Sequence, residues 1–173
     1  MENQVNSKSI ILNYGLYLGL LGIFIHLIFY AAGSLIASSS IIGIVGIVAM
    51  ISFIILGIKK FKTTNSGFLS FGEALKVGVG IAVVSAVISA VYTLIFTNLI
   101  QPDFQEQVME IQKQAWFDAG LNDQEVEKSA AIAKQFSGPG ITIPVSIVIS
   151  AFFGFIFSAI GGAIMKHTLE DQY

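Results

Sequence analysis

Four long apolar stretches contain no Lys, Arg, Asp or Glu. They run over residues 10–32, 41–58, 77–100 and 141–165. An apolar helix of about 20 residues crosses a hydrocarbon core about 30 Å thick, and it satisfies its backbone hydrogen bonds internally. Four buried core helices of this length would need a much larger surrounding protein. The stretches therefore predict an all-α integral membrane protein, with four transmembrane helices forming a single membrane domain over residues 1–173.

The composition agrees with that fold class and excludes several others. Hydrophobic residues make up 54% of the chain and charged residues 12%, against about 25% charged in a soluble domain. Disordered chains need low hydrophobicity and high charge. The absence of cysteine excludes disulfides and Cys-ligated zinc, and a net charge of −2 without arginine argues against a nucleic-acid partner. The expected surroundings are a lipid bilayer.

The first stretch has a second interpretation, because Ala31-Ala32-Gly33 resembles a signal-peptide cleavage site. Its apolar run is longer than that of a signal peptide and it contains three tyrosines. We therefore expect a retained transmembrane helix.

The distribution of lysine predicts the orientation. Residues 101–140 hold three lysines and seven acids, whereas six lysines lie in the other, shorter polar segments. Lysine-rich segments stay on the cytoplasmic side, so both termini are expected in the cytoplasm of a bacterial inner-membrane protein. The cluster Lys59-Lys60-Phe61-Lys62 also suits anionic lipid heads, although ordinary topological anchoring is commoner. The six lysines are Lys8, Lys59, Lys60, Lys62, Lys76 and Lys166.

Small residues recur along the apolar stretches at helical spacing. Membrane helices associate through such residues, because their backbones can then approach closely. A polar path for a solute is the alternative use of the serines, but helix packing is commoner, and no ionisable residue interrupts the row. Gly43 and Gly46 are the corresponding residues of the second stretch. The predicted packing face consists of Gly15, Gly19, Gly78, Ser146, Ser150, Gly154, Ser158 and Gly162.

Three polar residues are candidates for a functional role. His26 lies inside the first stretch, and an ionisable residue within the membrane is a functional hypothesis by default; a packed, hydrogen-bonded histidine is the simpler interpretation. Ser70 and Glu73 have the spacing of a helix capping box, and Glu73 could also pair with Lys76 one turn later. Capping explains Glu73 better than catalysis does.

The segment Ser66-Gly-Phe-Leu-Ser-Phe-Gly-Glu-Ala-Leu-Lys-Val-Gly, with the later Asn98-Leu-Ile-Gln-Pro-Asp-Phe, resembles the bacterial family called domain of unknown function 4199. The likeness covers nearly the whole chain, including the acidic segment and the last apolar stretch. It implies a short four-helix membrane protein. The family brings no known activity and no functional residues.

Residues 101–140 are expected to form an external helical hairpin. A helix is predicted to start at Pro102 and to end at Gly120. A second begins with Asn122 as N-cap and Glu125 three residues later. The sequence Ser137-Gly138-Pro139-Gly140 is expected to separate this second helix from the last transmembrane helix.

Motifs for chemistry are missing from the sequence. It has no Walker loop, GxSxG or HExxH pattern, and its histidines, His26 and His167, are far apart. We therefore expect no enzyme, no cofactor and no metal. A structural or protein-interaction role, in a homo-oligomer or with a membrane-protein partner, is favoured. A small transporter or channel component is the alternative.

Overall fold

A computed structural model describes residues 6–167 of the chain. Within them the regular secondary structure is helical, apart from a single pair of residues in β-bridge geometry, and short turns and loops join the helices. The helices are α1 (Ser7–Ala31), α2 (Ser39–Thr64), α3 (Phe71–Ile95) followed by a π-helical turn (Phe96–Ile100), α4 (Phe104–Asp118), α5 (Asp123–Phe136) and α6 (Pro139–Met165).

Four of these helices are long and apolar enough to cross a membrane, as the sequence predicted. α1, α2, α3 with its π-helical turn, and α6 contain 25, 26, 30 and 27 residues. At about 1.5 Å per residue they are about 38–45 Å long, which exceeds a hydrocarbon core of about 30 Å. They extend beyond the predicted apolar stretches, and α2 includes all three lysines of its predicted boundary.

The chain divides into two compact units. The first contains the residues up to Ser89 together with those from Ile147 onward, and the second contains residues 90–146. The core of the first unit consists of residues from α1, α2, α3 and the α2–α3 loop. Its fully buried members are Ile54, Ile58, Leu69, Ala74, Val77 and Ile81.

Direct contacts fix the directions of the helices in the first unit. α1 and α3 run parallel, because successive residues of one meet successive residues of the other. α3 and α6 run antiparallel, because the contact positions rise in one helix as they fall in the other. The α1–α3 pairs are Ile11–Gly80, Gly15–Val84 and Gly19–Ile88, and the α3–α6 pairs are Ala74–Gly162, Gly78–Ser158 and Ala82–Gly154.

The second unit contains α4 and α5, which the side chain of Lys113 connects. Its Nζ lies 3.3 Å from Glu127 Oε1 and 3.8 Å from Glu110 Oε1. Val126 and Ala130 of α5 are buried. The π-helical turn was not predicted; within it the amide of Asn98 donates to the carbonyl of Leu94 at 2.7 Å.

The ends of α4 and α5 follow local sequence signals. Gly120 has a φ of +93°, which glycine adopts without strain, and it follows the end of α4. Asn122 and Glu125 form the predicted capping box of α5, with hydrogen bonds of 3.1 and 2.9 Å. The predicted start of α4 at Pro102 was wrong by two residues, because Asp103 is its N-cap.

The expected break before the last helix is shorter than predicted. Pro139 and Gly140 belong to the first turn of α6 instead of the loop. Proline suits this position because its missing N–H would have no partner in the first turn.

Candidate functional site at the lysine-rich end

The loop between α2 and α3 turns the chain back sharply. Ser66 and Gly67 have φ angles of +53° and +89°, and the Gly67 N–H donates to the carbonyl of Lys62 at 2.9 Å. The side-chain amide of Asn65 donates to the carbonyl of Phe68 at 3.1 Å. This tight turn places the fully buried Leu69 in the core of the first unit.

The loop is joined to the end of α6. Leu69 and His167 exchange two backbone hydrogen bonds of 2.9 Å, and the rings of Phe68 and His167 stack with centroids 5.7 Å apart. Lys62 Nζ donates to the carbonyl of Met165 at 2.8 Å, so a cation satisfies the C-terminal end of α6. We call these contacts of Lys62, Phe68 and Leu69 with Met165 and His167 the clasp.

Glu73 caps the start of α3. Its Oε2 accepts hydrogen bonds from the Ser70 N–H at 2.7 Å and from the Ser70 hydroxyl at 2.8 Å. The N–H of Glu73 donates to the Ser70 hydroxyl oxygen at 3.3 Å in return. The ion pair that its spacing allowed with Lys76 is not formed, because this carboxylate is turned towards Ser70; Lys76 is exposed.

His26 lies far from Glu73 and Lys76. It is partly buried in the last third of α1, whereas Glu73 and Lys76 lie in the first two turns of α3. Since α1 and α3 run parallel in the first unit, His26 and Glu73 are separated by about 22 residues along the helix direction, or about 33 Å. The structure therefore does not bring the three candidates into one site.

Most of the predicted packing face lies between helices. A Cβ added to Gly154 would lie 2.6 Å from Ala82 Cβ, and one added to Gly162 would lie 2.7 Å from Ala74 Cβ. Ser158 is fully buried, and its hydroxyl donates to the carbonyl of Gly154 in its own helix. Gly15, Gly19 and Gly78 are equally close to side chains of neighbouring helices.

The two serines nearer the start of α6 are placed differently. Ser146 is exposed, and its hydroxyl donates to the carbonyl of Ile143 at 2.8 Å. Ser150 is only partly buried. The row of small residues is therefore a tight contact only in its second half.

The small-residue faces of α1 and α2 are likewise closed at one end only. Nothing lies within 4 Å of a Cβ added to Gly22, which follows Gly19 by three residues. The same holds for Gly43 and Gly46 of α2. On the same face of this helix, three turns later, Ile54 follows Gly43 and Gly57 follows Gly46, and both later residues are buried. The faces that are packed near the clasp are open at the other end of α1 and α2.

Two charged side chains at the lysine-rich end are held by hydrogen bonds. Within residues 6–167 there is no group of three or more His, Cys, Asp or Glu residues that could hold a metal ion. Glu73, the one acid in the described part of this end, caps a helix, and Lys62 donates to a helix terminus.

A family model described as "Protein of unknown function (DUF4199)" matches residues 13–167. The chain belongs to this family. No curated protein and no solved structure matches it. The matched range covers α1 from Asn13 to the last described residue, His167, and so includes the clasp and the four membrane-compatible helices. The family gives no activity, which leaves the function to be argued from the structure.

Sequence reasoning missed the clasp. The sequence predicts a topological anchor at Lys62 and indicates no partner for His167. The partners Lys62 and Met165 are 103 residues apart in sequence, and no local pattern connects them. The one usable signal was the position of Lys62 and His167, each at the polar end of an apolar stretch.

Proposed function

We propose that this protein is a non-enzymatic component of the bacterial inner membrane that acts by binding another membrane-embedded chain, either a second copy or a different protein. In this proposal both termini and the clasp are cytoplasmic, and the acidic helices α4 and α5 are outside. The lysine distribution supports that orientation: six lysines lie in the short polar segments, and residues 101–140 hold seven acids.

The observation that carries the proposal is the half-open packing of α1 and α2. Near the clasp, Gly57 and Ile58 of α2 are buried against neighbouring helices. Three turns earlier on the same face, Gly46 and Ile47 are exposed. A glycine face lets another helix approach closely, and this is how membrane helices associate. The open half of this face is therefore a suitable surface for a helix of the partner.

Transport of a solute is less well supported. A solute path needs polar groups that are free to line it, but the hydroxyls of Ser158 and Ser146 donate to carbonyls of their own helix. Thr97 does the same with the carbonyl of Thr93. At the packed end, α3 and α6 approach so closely at Gly154 that a single added methyl group would collide.

Site-specific photo-crosslinking tests the proposal. A photoreactive amino acid replaces Ile47, which lies on the open face, or Val48, which is equally exposed but points about 100° away around the helix. We expect a discrete crosslinked protein band at Ile47 in native membranes and none at Val48. No adduct at Ile47, or the same adducts at both positions, contradicts the proposal. Ion or solute flux through the purified protein in liposomes would favour the transport alternative.

A further inference from the structure

The six lysines outside residues 101–140 converge at one end of the first unit. Lys8 lies at the start of α1 and Lys76 near the start of α3, and these two helices run parallel. Lys166 follows the end of α6, which is antiparallel to α3. Lys62 contacts Met165, so the end of α2 with its three lysines lies there too.

The lysines occupy a narrow band. Positions along the helix direction can be compared on α3. The α1–α3 contacts place Lys8 at the height of about residue 77 of α3, and the α3–α6 contacts place Lys166 at the height of about residue 70 of α3. Seven residues of helix correspond to about 10 Å. The headgroup layer on each side of a bilayer is about 5–8 Å thick, so the band is a few ångströms deeper than this layer, and the long lysine side chains can extend over that distance to the headgroups. We call Lys8, Lys59, Lys60, Lys62, Lys76 and Lys166 the lysine band.

The charge of this band is not neutralised within the described part of the chain. Lys62 donates to a backbone carbonyl, and the other five lysines are exposed and make no ion pair with residues 6–167. Glu73, the one described acid near them, is bound to Ser70. The sequence places Glu2, Glu170 and Asp171 in the terminal segments outside the described residues. Counting all four acids, lysine is still in excess by two.

We propose that the lysine band binds the phosphate groups of anionic phospholipids in the leaflet that surrounds it. Each ammonium group offers three hydrogen-bond donors, and the phosphate oxygens of a headgroup at this depth are the acceptors that meet them. Phe71, with 43% of its surface exposed, lies at the same level, and aromatic side chains are frequent at membrane interfaces. Repulsion among exposed ammonium groups is relieved when such anions bind.

This inference is independent of the partner proposed above and of the orientation of the protein, because binding is measured in detergent. The full chain is purified in a neutral detergent and exposed to equal amounts of phosphatidylglycerol and phosphatidylcholine. Native mass spectrometry then counts the lipids that remain bound. We expect preferential retention of phosphatidylglycerol, which decreases as the salt concentration rises.

A matched pair of variants locates the binding. K59Q/K60Q removes two exposed lysines of the band, and K128Q/K134Q removes two exposed lysines of α5. We expect the affinity for phosphatidylglycerol to fall by about fivefold for each band lysine removed, and to be unchanged in the α5 variant. Circular dichroism checks that both variants are folded.

Two results would overturn the inference. One is equal retention of the two lipids by the unmodified protein, a measurement that requires no variant to fold. The other is an equal loss of phosphatidylglycerol in the band variant and the α5 variant, since that result would assign the effect to net charge alone.

Discussion

Gly154→Ala should destabilise the contact between α3 and α6. The new methyl carbon would lie 2.6 Å from Ala82 Cβ and 3.4 Å from Val79 Cα. Carbon atoms pack best at about 3.5–4.0 Å, so the two helices must separate locally by about 1 Å. Neither neighbouring atom can rotate away, because one is the Cβ of alanine and the other is backbone. Overpacking of this kind costs about 1–3 kcal/mol.

The same substitution at Gly46 is the matched control. Gly46 also lies in a long helix, but nothing lies within 4 Å of its added Cβ. Gly46→Ala therefore measures the intrinsic preference of a helix for alanine, which is a gain of up to about 1 kcal/mol. The difference between the two variants isolates the cost of the collision at Gly154.

The assay is unfolding in mixed micelles, in which a denaturing detergent is titrated against a mild one and helix content is followed by circular dichroism. We expect Gly154→Ala to unfold at a lower fraction of denaturing detergent than the unmodified protein, and Gly46→Ala to unfold at the same fraction or a higher one. Ala82→Gly, introduced together with Gly154→Ala, should restore part of the loss, because it removes the atom that collides. Equal stability of the two single variants, or no rescue by Ala82→Gly, would refute the packing argument.

Three smaller changes test the contacts around the clasp and in the second unit. Glu73→Ala should reduce the free energy of unfolding by about 0.5–2 kcal/mol through loss of the capping box. Glu73→Gln should keep most of the stability, because glutamine can also accept the Ser70 hydrogen bonds. Equal losses in the two variants would contradict the capping role. Lys62→Met should increase amide hydrogen exchange at His167, because the hydrogen bond to Met165 holds this end of α6; unchanged exchange would count against the clasp. Lys113→Ala should change the free energy of unfolding by less than about 1 kcal/mol, since its ion pairs are partly exposed, and a larger loss would mean that α4 and α5 depend on it.

The number and placement of the membrane helices could be predicted because they depend on local composition. A stretch such as residues 77–100 contains no charge, and in a bilayer only a helix satisfies its backbone. Capping signals are local too, which is why Asn122 and Glu125 predicted the start of α5. The helices nevertheless extend beyond the apolar stretches, because a helix that has already formed is extended by polar residues without any apolar pattern.

Contacts between distant segments could not be predicted in the same way. A four-residue period in α6 indicates one face with Gly154 and Ser158, but it does not say that this face meets α3, nor that the contact is loose at Ser146. The sequence around Lys62 and His167 contains no pattern that indicates the clasp. The π-helical turn at residues 96–100 follows an ordinary apolar sequence, and no residue there marks the change of hydrogen bonding.

Accessibility of single cysteines tests the proposed topology, in which four helices cross the membrane with the clasp inside and α4 and α5 outside. The chain contains no cysteine, so Ser66→Cys in the α2–α3 turn and Gln124→Cys in α5 each introduce a unique thiol at an exposed position. Cells expressing each variant are treated with a membrane-impermeant maleimide before and after permeabilisation. We expect labelling of Gln124→Cys in intact cells and labelling of Ser66→Cys only after permeabilisation. Labelling of Ser66→Cys in intact cells, or of both variants from the same side, would contradict this topology.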